Sequence, residues 1–169
     1  MKIAITGHTD GIGKWIYDNN DDVIGFSRSN GYNICFEDDR KRIVDTVLNC
    51  DVFINNACDK YGQAYMLQDL YKAWKDSRKH IITVGSRIVN DDFVLPEDHL
   101  HLFDYRVQKL ATKDMHNLLT AYGASVNLHY VSFAYVGTPK ILKKYPHFEV
   151  GQNCISMEDA AKIILEPIK

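Results

Sequence analysis

The chain has 169 residues, of which 46% are hydrophobic and 25% are charged. A chain of this length fits one domain, residues 1–169, with a sizeable core, and the composition excludes an intrinsically disordered protein. The 20 basic residues against 22 acidic ones give a net charge of -2. This balance argues against a nucleic-acid binder held by bulk positive charge.

The sequence also bears on compartment and metal content. No apolar run reaches the roughly 18 residues of a membrane span, and the first residues lack the apolar stretch of a signal peptide. The four cysteines are scattered, without a Cys-x-x-Cys pair, which is typical of buried free thiols. We therefore expect a cytoplasmic protein that binds neither membrane nor nucleic acid and holds no metal.

Apolar runs alternate with helical patterns along the chain, as a parallel sheet covered by helices requires. Strands are predicted at residues 3–6, 23–27, 52–55, 81–84 and 126–131. Helices are predicted at residues 11–19, 37–49, 63–76, 96–122 and 157–165. The pattern predicts one α/β domain with a doubly wound parallel sheet.

A glycine-rich turn follows the first predicted strand. It reads Thr6-Gly7-His8-Thr9-Asp10-Gly11-Ile12-Gly13, and a helical pattern begins within it. Glycines at this spacing let the chain turn tightly and bring backbone N–H groups and a helix N-terminus close to a pyrophosphate. Because the turn lies between a strand and a helix, it predicts a dinucleotide site.

The second predicted strand ends without an acidic residue. In dinucleotide-binding folds an acid at this point binds the ribose of NAD, whereas a nearby arginine accommodates the additional phosphate of NADP. Arg28 and Ser29 supply a cation and a hydroxyl donor here. They favour NADP(H) over NAD(H); the alternative is a solvated arginine in a turn.

Three further residues suggest proton-transfer chemistry. Tyr105 and Lys109 are four positions apart, so one face of a helix presents both. A nearby ammonium such as that of Lys109 favours the phenolate and so lowers the pKa of Tyr105; a lowering of about 2 to 3 is large but within what such sites achieve. Ser86 follows a buried strand and is interpreted as a hydrogen-bond donor to a carbonyl, because Ile88 replaces the last glycine of a Gly-x-Ser-x-Gly nucleophile turn.

Together these residues resemble the short-chain dehydrogenase/reductase family, of the classical type. The resemblance extends over nearly the whole chain. It rests on Thr6-Gly7-x-x-x-Gly11-Ile12-Gly13, Asn33-Ile34, Asn55-Asn56-Ala57, Ser86, Tyr105-x-x-x-Lys109, Tyr135-Val136-Gly137-Thr138-Pro139 and Met157-Glu158-Asp159-Ala160-Ala161. It implies a Rossmann-like sheet of about six strands in the order 3-2-1-4-5-6, without the family's usual seventh strand.

The resemblance also implies a function, hydride transfer between NADP(H) and a carbonyl or alcohol substrate. Tyr105 would be the general acid or base, Lys109 would hold the nicotinamide ribose, and Ser86 would orient the substrate carbonyl. The implied cofactor-binding residues are Gly7, Thr9, Gly11, Ile12, Gly13, Arg28, Ser29, Asn33, Ile34, Asn56, Ala57, Tyr105, Lys109, Val136 and Thr138. The alternative is a regulatory or sensor protein that binds NADP(H) without catalysis; a sugar-nucleotide epimerase is disfavoured because the chain has no room for its substrate domain.

The chain departs from the family pattern around the expected site. Cys58 replaces a glycine, and the helix at 63–76 lacks the expected catalytic Asn. Gln63 is the nearest amide that could support a water that relays protons to Lys109; the alternative is a surface glutamine. Tyr145, with His147 and Phe148, could form an aromatic wall in a substrate lid at 140–155.

Two expectations concern the remaining surface. The segment between Ser86 and Tyr105 carries four acids and a His-x-His pair; we interpret it as a solvated loop without a metal, and the alternative is that its acids border the substrate pocket. These residues are Asp91, Asp92, Glu97, Asp98, His99 and His101. The resemblance further implies a possible homodimer formed through the helices at 63–76 and 96–122.

Overall fold

The computed structural model describes residues 1–90 and 102–168. Its strands are β1 (Ile3–Thr6), β2 (Val23–Phe26), β3 (Val52–Asn55), β4 (His80–Ser86) and β5 (Asn127–Phe133). Its α-helices are α1 (Gly11–Asp18), α2 (Glu37–Thr46), α3 (Gly62–Trp74), α4 (Phe103–Tyr122), α5 (Pro139–Lys144) and α6 (Met157–Leu165). The expected start of α4 at Pro96 and the acidic loop lie outside the described residues.

The strands form one parallel sheet in the order β2-β1-β3-β4-β5. The predicted Rossmann-like parallel α/β architecture is thereby confirmed. The predicted six strands in the order 3-2-1-4-5-6 are corrected to five within the described residues. The reason is chain length: a βαβ unit takes about 30 residues or more, so the segment between Phe26 and Val52 accommodates one crossover instead of two.

Helices cover both faces of the sheet, which explains why its central strands are continuous apolar runs. On one face α2, α3 and α4 pack against the sheet, with the rings of Phe53 and Trp74 perpendicular at 6.5 Å. On the other face α1 and α6 bury Ile16 and Ile164 against Ile5. This covering leaves the carboxyl ends of the strands as the open edge of the sheet.

The strand order reverses between β1 and β3, and side-chain hydrogen bonds fix the ends of these two strands. The buried Thr6 hydroxyl oxygen accepts from the backbone N–H groups of Asn56 at 3.1 Å and Ala57 at 3.0 Å. The Asn56 side chain donates back to the Thr6 carbonyl at 3.1 Å. Ligands of open α/β sheets bind in the crevice at such a reversal.

Helix α1 begins directly in the glycine-rich turn. The Asp10 side chain caps it by accepting from the Gly11 N–H at 2.7 Å. Gly7 and Gly11 have φ values of 75° and 55°, which strongly favour glycine. A Cβ on Gly13 would lie only 2.2 Å from the Gly7 carbonyl oxygen, so the helix packs directly on the turn.

Helix α5 was not predicted, although its start follows the ordinary rules of capping. The Thr138 hydroxyl accepts from the Ile141 N–H at 3.3 Å, and Pro139 occupies the first helical position.

Across the described residues, no helix has the length and apolarity needed to cross a bilayer. The same residues contain no group of three or more His, Cys, Asp or Glu placed to hold a metal ion.

We predict that Gly13→Ala destabilises the protein by about 1 to 3 kcal/mol, because the added methyl overlaps the Gly7 carbonyl. Alanine normally stabilises a helix relative to glycine, so the expected sign is the reverse of the usual one. Urea unfolding measures the change, with Lys14→Ala on the exposed side of α1 as the control. A Gly13→Ala variant as stable as this control would contradict the close packing.

Candidate active site

Three adjoining cavities follow the carboxyl edge of the sheet. The turn cavity, about 560 Å³, is lined by Gly7, Thr9, Asp10, Phe26, Ser27, Arg28, Ser29, Tyr32, Asn33, Ile34, Asn56, Ala57, Cys58 and Asp59. The central cavity, about 230 Å³, is lined by Ile12, Asn56, Cys58, Val84, Gly85, Ser86, Tyr105, Lys109, Phe133, Ala134, Tyr135, Val136, Thr138 and Ile141. The outer cavity, about 390 Å³, is lined by Ser86, Arg87, Ile88, Asn90, Leu102, Tyr105, Ala134, Tyr135, Ile141, Lys144 and Tyr145.

The expected cofactor residues divide between the first two cavities. Those after β1, β2 and β3 line the turn cavity, while Ile12, Val136 and Thr138 line the central cavity. Gly11 and Gly13 line neither cavity. Gly13 packs against the Gly7 carbonyl of the turn, and the Thr138 methyl lies against Gly11. The structure therefore places the expected residues other than Gly11 and Gly13 along one groove.

Arg28 stands at the rim of the turn cavity. Its guanidinium lies 3.6 Å from the Asp59 carboxylate, and 78% of its side chain is exposed. An exposed ion pair of this kind is worth about 0 to 1 kcal/mol, so Asp59 holds Arg28 weakly. The hydroxyls of Ser27 and Ser29 lie 2.7 Å apart beside it. Asp59 was not anticipated, because its proximity to Arg28 depends on the pairing of strands distant in sequence.

Ser86 and Tyr105 meet between the central and outer cavities. Ser86 ends β4 and Tyr105 lies in the first turn of α4, and both residues line the central and the outer cavity. Tyr105 is 38% exposed, and it lines both cavities. Burial among protein atoms raises the pKa of Tyr105 to about 12; the nearby Cys58 acts in the same sense and the nearby Ser86 hydroxyl in the opposite one.

The expected lowering of the Tyr105 pKa is therefore wrong for this structure, and the position of Lys109 gives the reason. The Lys109 ammonium donates to the Gln63 side-chain oxygen at 2.9 Å and to the Val84 carbonyl at 2.8 Å. It lies 5.7 Å from the centre of the Tyr105 ring. Burial dominates at both groups: it lowers the pKa of Lys109 and raises that of Tyr105.

Gln63 is fully buried, which excludes the surface glutamine considered from the sequence. Its side-chain NH₂ donates to the carbonyls of Asn55 at 2.8 Å and Val84 at 3.0 Å. The Asn55 side chain in turn donates to the Gln63 carbonyl at 2.9 Å. Gln63 thus contacts Lys109 directly, where the sequence suggested a relay through water.

The outer cavity is mainly apolar and aromatic. Tyr145 lines it, and its ring stacks on Phe148 at 5.0 Å and contacts Tyr135 at 5.7 Å. His147 and Phe148, the other expected wall residues, pack against Tyr145 without lining the cavity. The sequence pattern included Tyr135 only within the motif at 135–139 and did not predict that it contacts Tyr145. Its position two residues after β5, at the carboxyl edge of the sheet, could have indicated a place in this cavity.

Sequence reasoning missed Tyr130, which lies on β5 against Gly85. A Cβ on Gly85 would be 2.3 Å from both Cζ and Oη of Tyr130. Burial raises the pKa of Tyr130, and the nearby backbone N–H of Ser86 acts in the opposite sense. A glycine inside a strand often marks such a close approach, so Gly85 carried a usable signal.

Comparisons with known proteins find similar folds among solved structures. No protein-family model matches the sequence, and no curated protein matches it. A short-chain dehydrogenase from Burkholderia cenocepacia J2315 in complex with NADP aligns with a TM-score of 0.79 at 17% identity, over 99% of this chain and 86% of that one.

Two other solved structures are similar. A short-chain dehydrogenase/reductase of unknown function from Caenorhabditis elegans, with cofactor, has a TM-score of 0.70 at 17% identity, over 97% of this chain and 86% of that one. An NADH-dependent reductase responsible for alginate metabolism has a TM-score of 0.60 at 16% identity, over 97% and 87%. The chain thus has the fold of the short-chain dehydrogenase/reductases.

We predict that Gly85→Ala destabilises the protein by about 1 to 3 kcal/mol, because a rigid ring occupies the space of the new methyl. The cost should persist in a Tyr130→Phe background, which keeps the ring, and shrink in a Tyr130→Ala background. A double-mutant cycle by urea unfolding measures this coupling. Equal costs in all three backgrounds would contradict the assigned contact.

Proposed function

We propose that this protein is an NADP(H)-dependent oxidoreductase that reduces a carbonyl group, with Tyr105 as the general acid. One observation carries the proposal: Ser86 and Tyr105 stand together between the central and outer cavities, both of which they line, with Lys109 beside them. Two neighbouring hydroxyl groups at this boundary can both reach the oxygen of one substrate carbonyl. The shared fold supports this reading.

The residues of the turn cavity fit a dinucleotide. Gly7 and Gly11 adopt the positive φ angles of a tight turn, and α1 begins at Gly11 within that turn. The space around Gly13 admits no Cβ, as close contact of helix and turn requires. When bound, the nicotinamide supplies the hydride; the protein binds, orients and moves protons.

Tyr105 donates the proton to the substrate. With a pKa of about 12, its phenol stays protonated at neutral pH and donates to the carbonyl oxygen as that oxygen gains negative charge. Ser86 orients the same oxygen by hydrogen bonding. Lys109 uses two of its three N–H bonds on Gln63 and Val84, which leaves one for the ribose of the cofactor. A protonated Tyr105 is the form that carbonyl reduction requires.

We also propose the homodimer implied by the resemblance, through α3 and α4. Exposed apolar side chains on these helices support it, among them Tyr65, Val107 and Leu118.

We predict that Tyr105→Phe lowers kcat for carbonyl reduction by about 10³-fold, because the only group lost is the proton donor. The dissociation constant for NADPH should change less than about threefold, since the ring remains in place. NADPH oxidation with a panel of ketones, aldehydes and quinones measures the first quantity, and a fluorescence titration the second. Tyr122→Phe, at the exposed end of the same helix, is the control.

Substantial turnover by Tyr105→Phe would remove this residue from the mechanism. NADPH binding by the unsubstituted protein without oxidation of NADPH across the panel would favour the sensor function instead.

We predict that Arg28→Ala weakens NADPH binding about 10-fold or more and leaves NADH binding nearly unchanged, since a hydrogen bond to a charged group contributes about 1.5 to 3 kcal/mol. Asp59→Asn is the matched control: it removes the competing carboxylate 3.6 Å from Arg28 and should not weaken NADPH binding. Calorimetric titration with both cofactors measures the effect. A clear preference of the unsubstituted protein for NADH would contradict the assignment of NADP(H).

A further inference from the structure

The ammonium of Lys109 is buried among neutral groups. Lys109 is 3% exposed, and its two hydrogen-bond acceptors are the Gln63 amide and the Val84 carbonyl. The titratable groups nearby are Cys58 after β3 and Tyr105 on α4 itself. Among the described residues no carboxylate pairs with Lys109. Burying an ammonium in this way is costly unless hydrogen bonds stabilise it.

The orientation of the Gln63 amide follows from its partners. Its nitrogen contacts the carbonyl oxygens of Asn55 and Val84, which can only accept hydrogen bonds. That nitrogen must therefore be the NH₂ group, and the other end of the amide, which faces Lys109, must be the oxygen. Three elements, β3, β4 and α3, thus aim one acceptor at the ammonium.

We propose that Gln63 is a positioning residue that keeps Lys109 charged within the site and fixes where its ammonium lies. Gln63 accepts from the ammonium without neutralising it, so the full positive charge remains available to the cofactor ribose and to Tyr105. A glutamate at this position would bind Lys109 more strongly but would cancel its charge. The consequence for catalysis rests on the proposed function; the effect on Lys109 does not.

The proposal predicts opposite changes in two variants. Gln63→Met keeps most of the volume but removes the acceptor, so the charged form of Lys109 loses stabilisation and its pKa falls. Gln63→Glu places a carboxylate beside the ammonium, so the pKa of Lys109 rises. We expect the titration midpoint of Lys109 to move by about one pH unit or more in each direction.

Carbon-13 NMR of the lysine ε-carbons measures this midpoint in the protein without cofactor or substrate. The Lys109 resonance is identified by its loss in Lys109→Met. Gln68→Met and Gln68→Glu are matched controls, because Gln68 lies on the same helix and is partly exposed. These control substitutions should leave the Lys109 midpoint unchanged.

A carboxylate at position 63 would face the Asn55 and Val84 carbonyls, which destabilises Gln63→Glu, so thermal unfolding checks that each variant folds. If Gln63→Glu does not fold, another variant is needed. Gln63→Asn then replaces it, since this variant keeps an amide but withdraws the oxygen by one methylene. It should lower the midpoint, as Gln63→Met does. A Lys109 midpoint that is the same in the unsubstituted protein and in the folded position 63 variants overturns the proposal.

Turnover gives a second readout that a purely structural role would not move. In the pH profile of kcat for NADPH-dependent reduction, the basic limb should shift to lower pH in Gln63→Met and to higher pH in Gln63→Glu. A lower kcat with an unshifted limb would indicate that Gln63 acts on stability alone. If the unsubstituted protein reduces no carbonyl, the proposed function fails while the NMR titration still decides the role of Gln63.

Discussion

The buried ammonium of Lys109 is the constraint on which the rest of the site depends. A charge this deep requires acceptors, and those acceptors come from β4, through the Val84 carbonyl, and from α3, through Gln63. Gln63 is itself held by Asn55 at the end of β3. One hydrogen-bonded chain therefore links α4, α3 and the two central strands, and it fixes the position of Tyr105 one helical turn from Lys109.

The sheet edge supplies the second half of the arrangement. Thr6 joins the ends of β1 and β3 through the backbone of Asn56 and Ala57, so the crevice where the strand order reverses has firm walls. Ser86 ends the next strand and meets Tyr105 there. The groove thus changes along its length, from glycines and an arginine at the turn to hydroxyl groups and aromatic rings at the outer cavity.

Much of this could be predicted from local patterns. The spacing of Tyr105 and Lys109 puts both on one helix face, and the strand preceding Ser86 puts its hydroxyl at the carboxyl edge of the sheet. Helix α5 was predictable as well, since Thr138-Pro139 is an ordinary helix start, but the expected lid obscured it. The expectation of a sixth strand came from the family resemblance and was wrong. The number of residues between β2 and β3 is too small for a second βαβ crossover.

The sign of the Tyr105 pKa change shows where local patterns fail. Spacing places an ammonium near a phenol, but it says nothing of where the ammonium points or how many atoms surround either group. Here the ammonium bonds to Gln63 and Val84, and burial acts on both residues at once, raising the pKa of Tyr105 and lowering that of Lys109. Burial thus favours the neutral form of each, which for Tyr105 is the protonated phenol. For Lys109 the neutral form would lose the positive charge of the site. The hydrogen bonds from its ammonium to Gln63 and Val84 stabilise the charged form and so oppose the effect of burial.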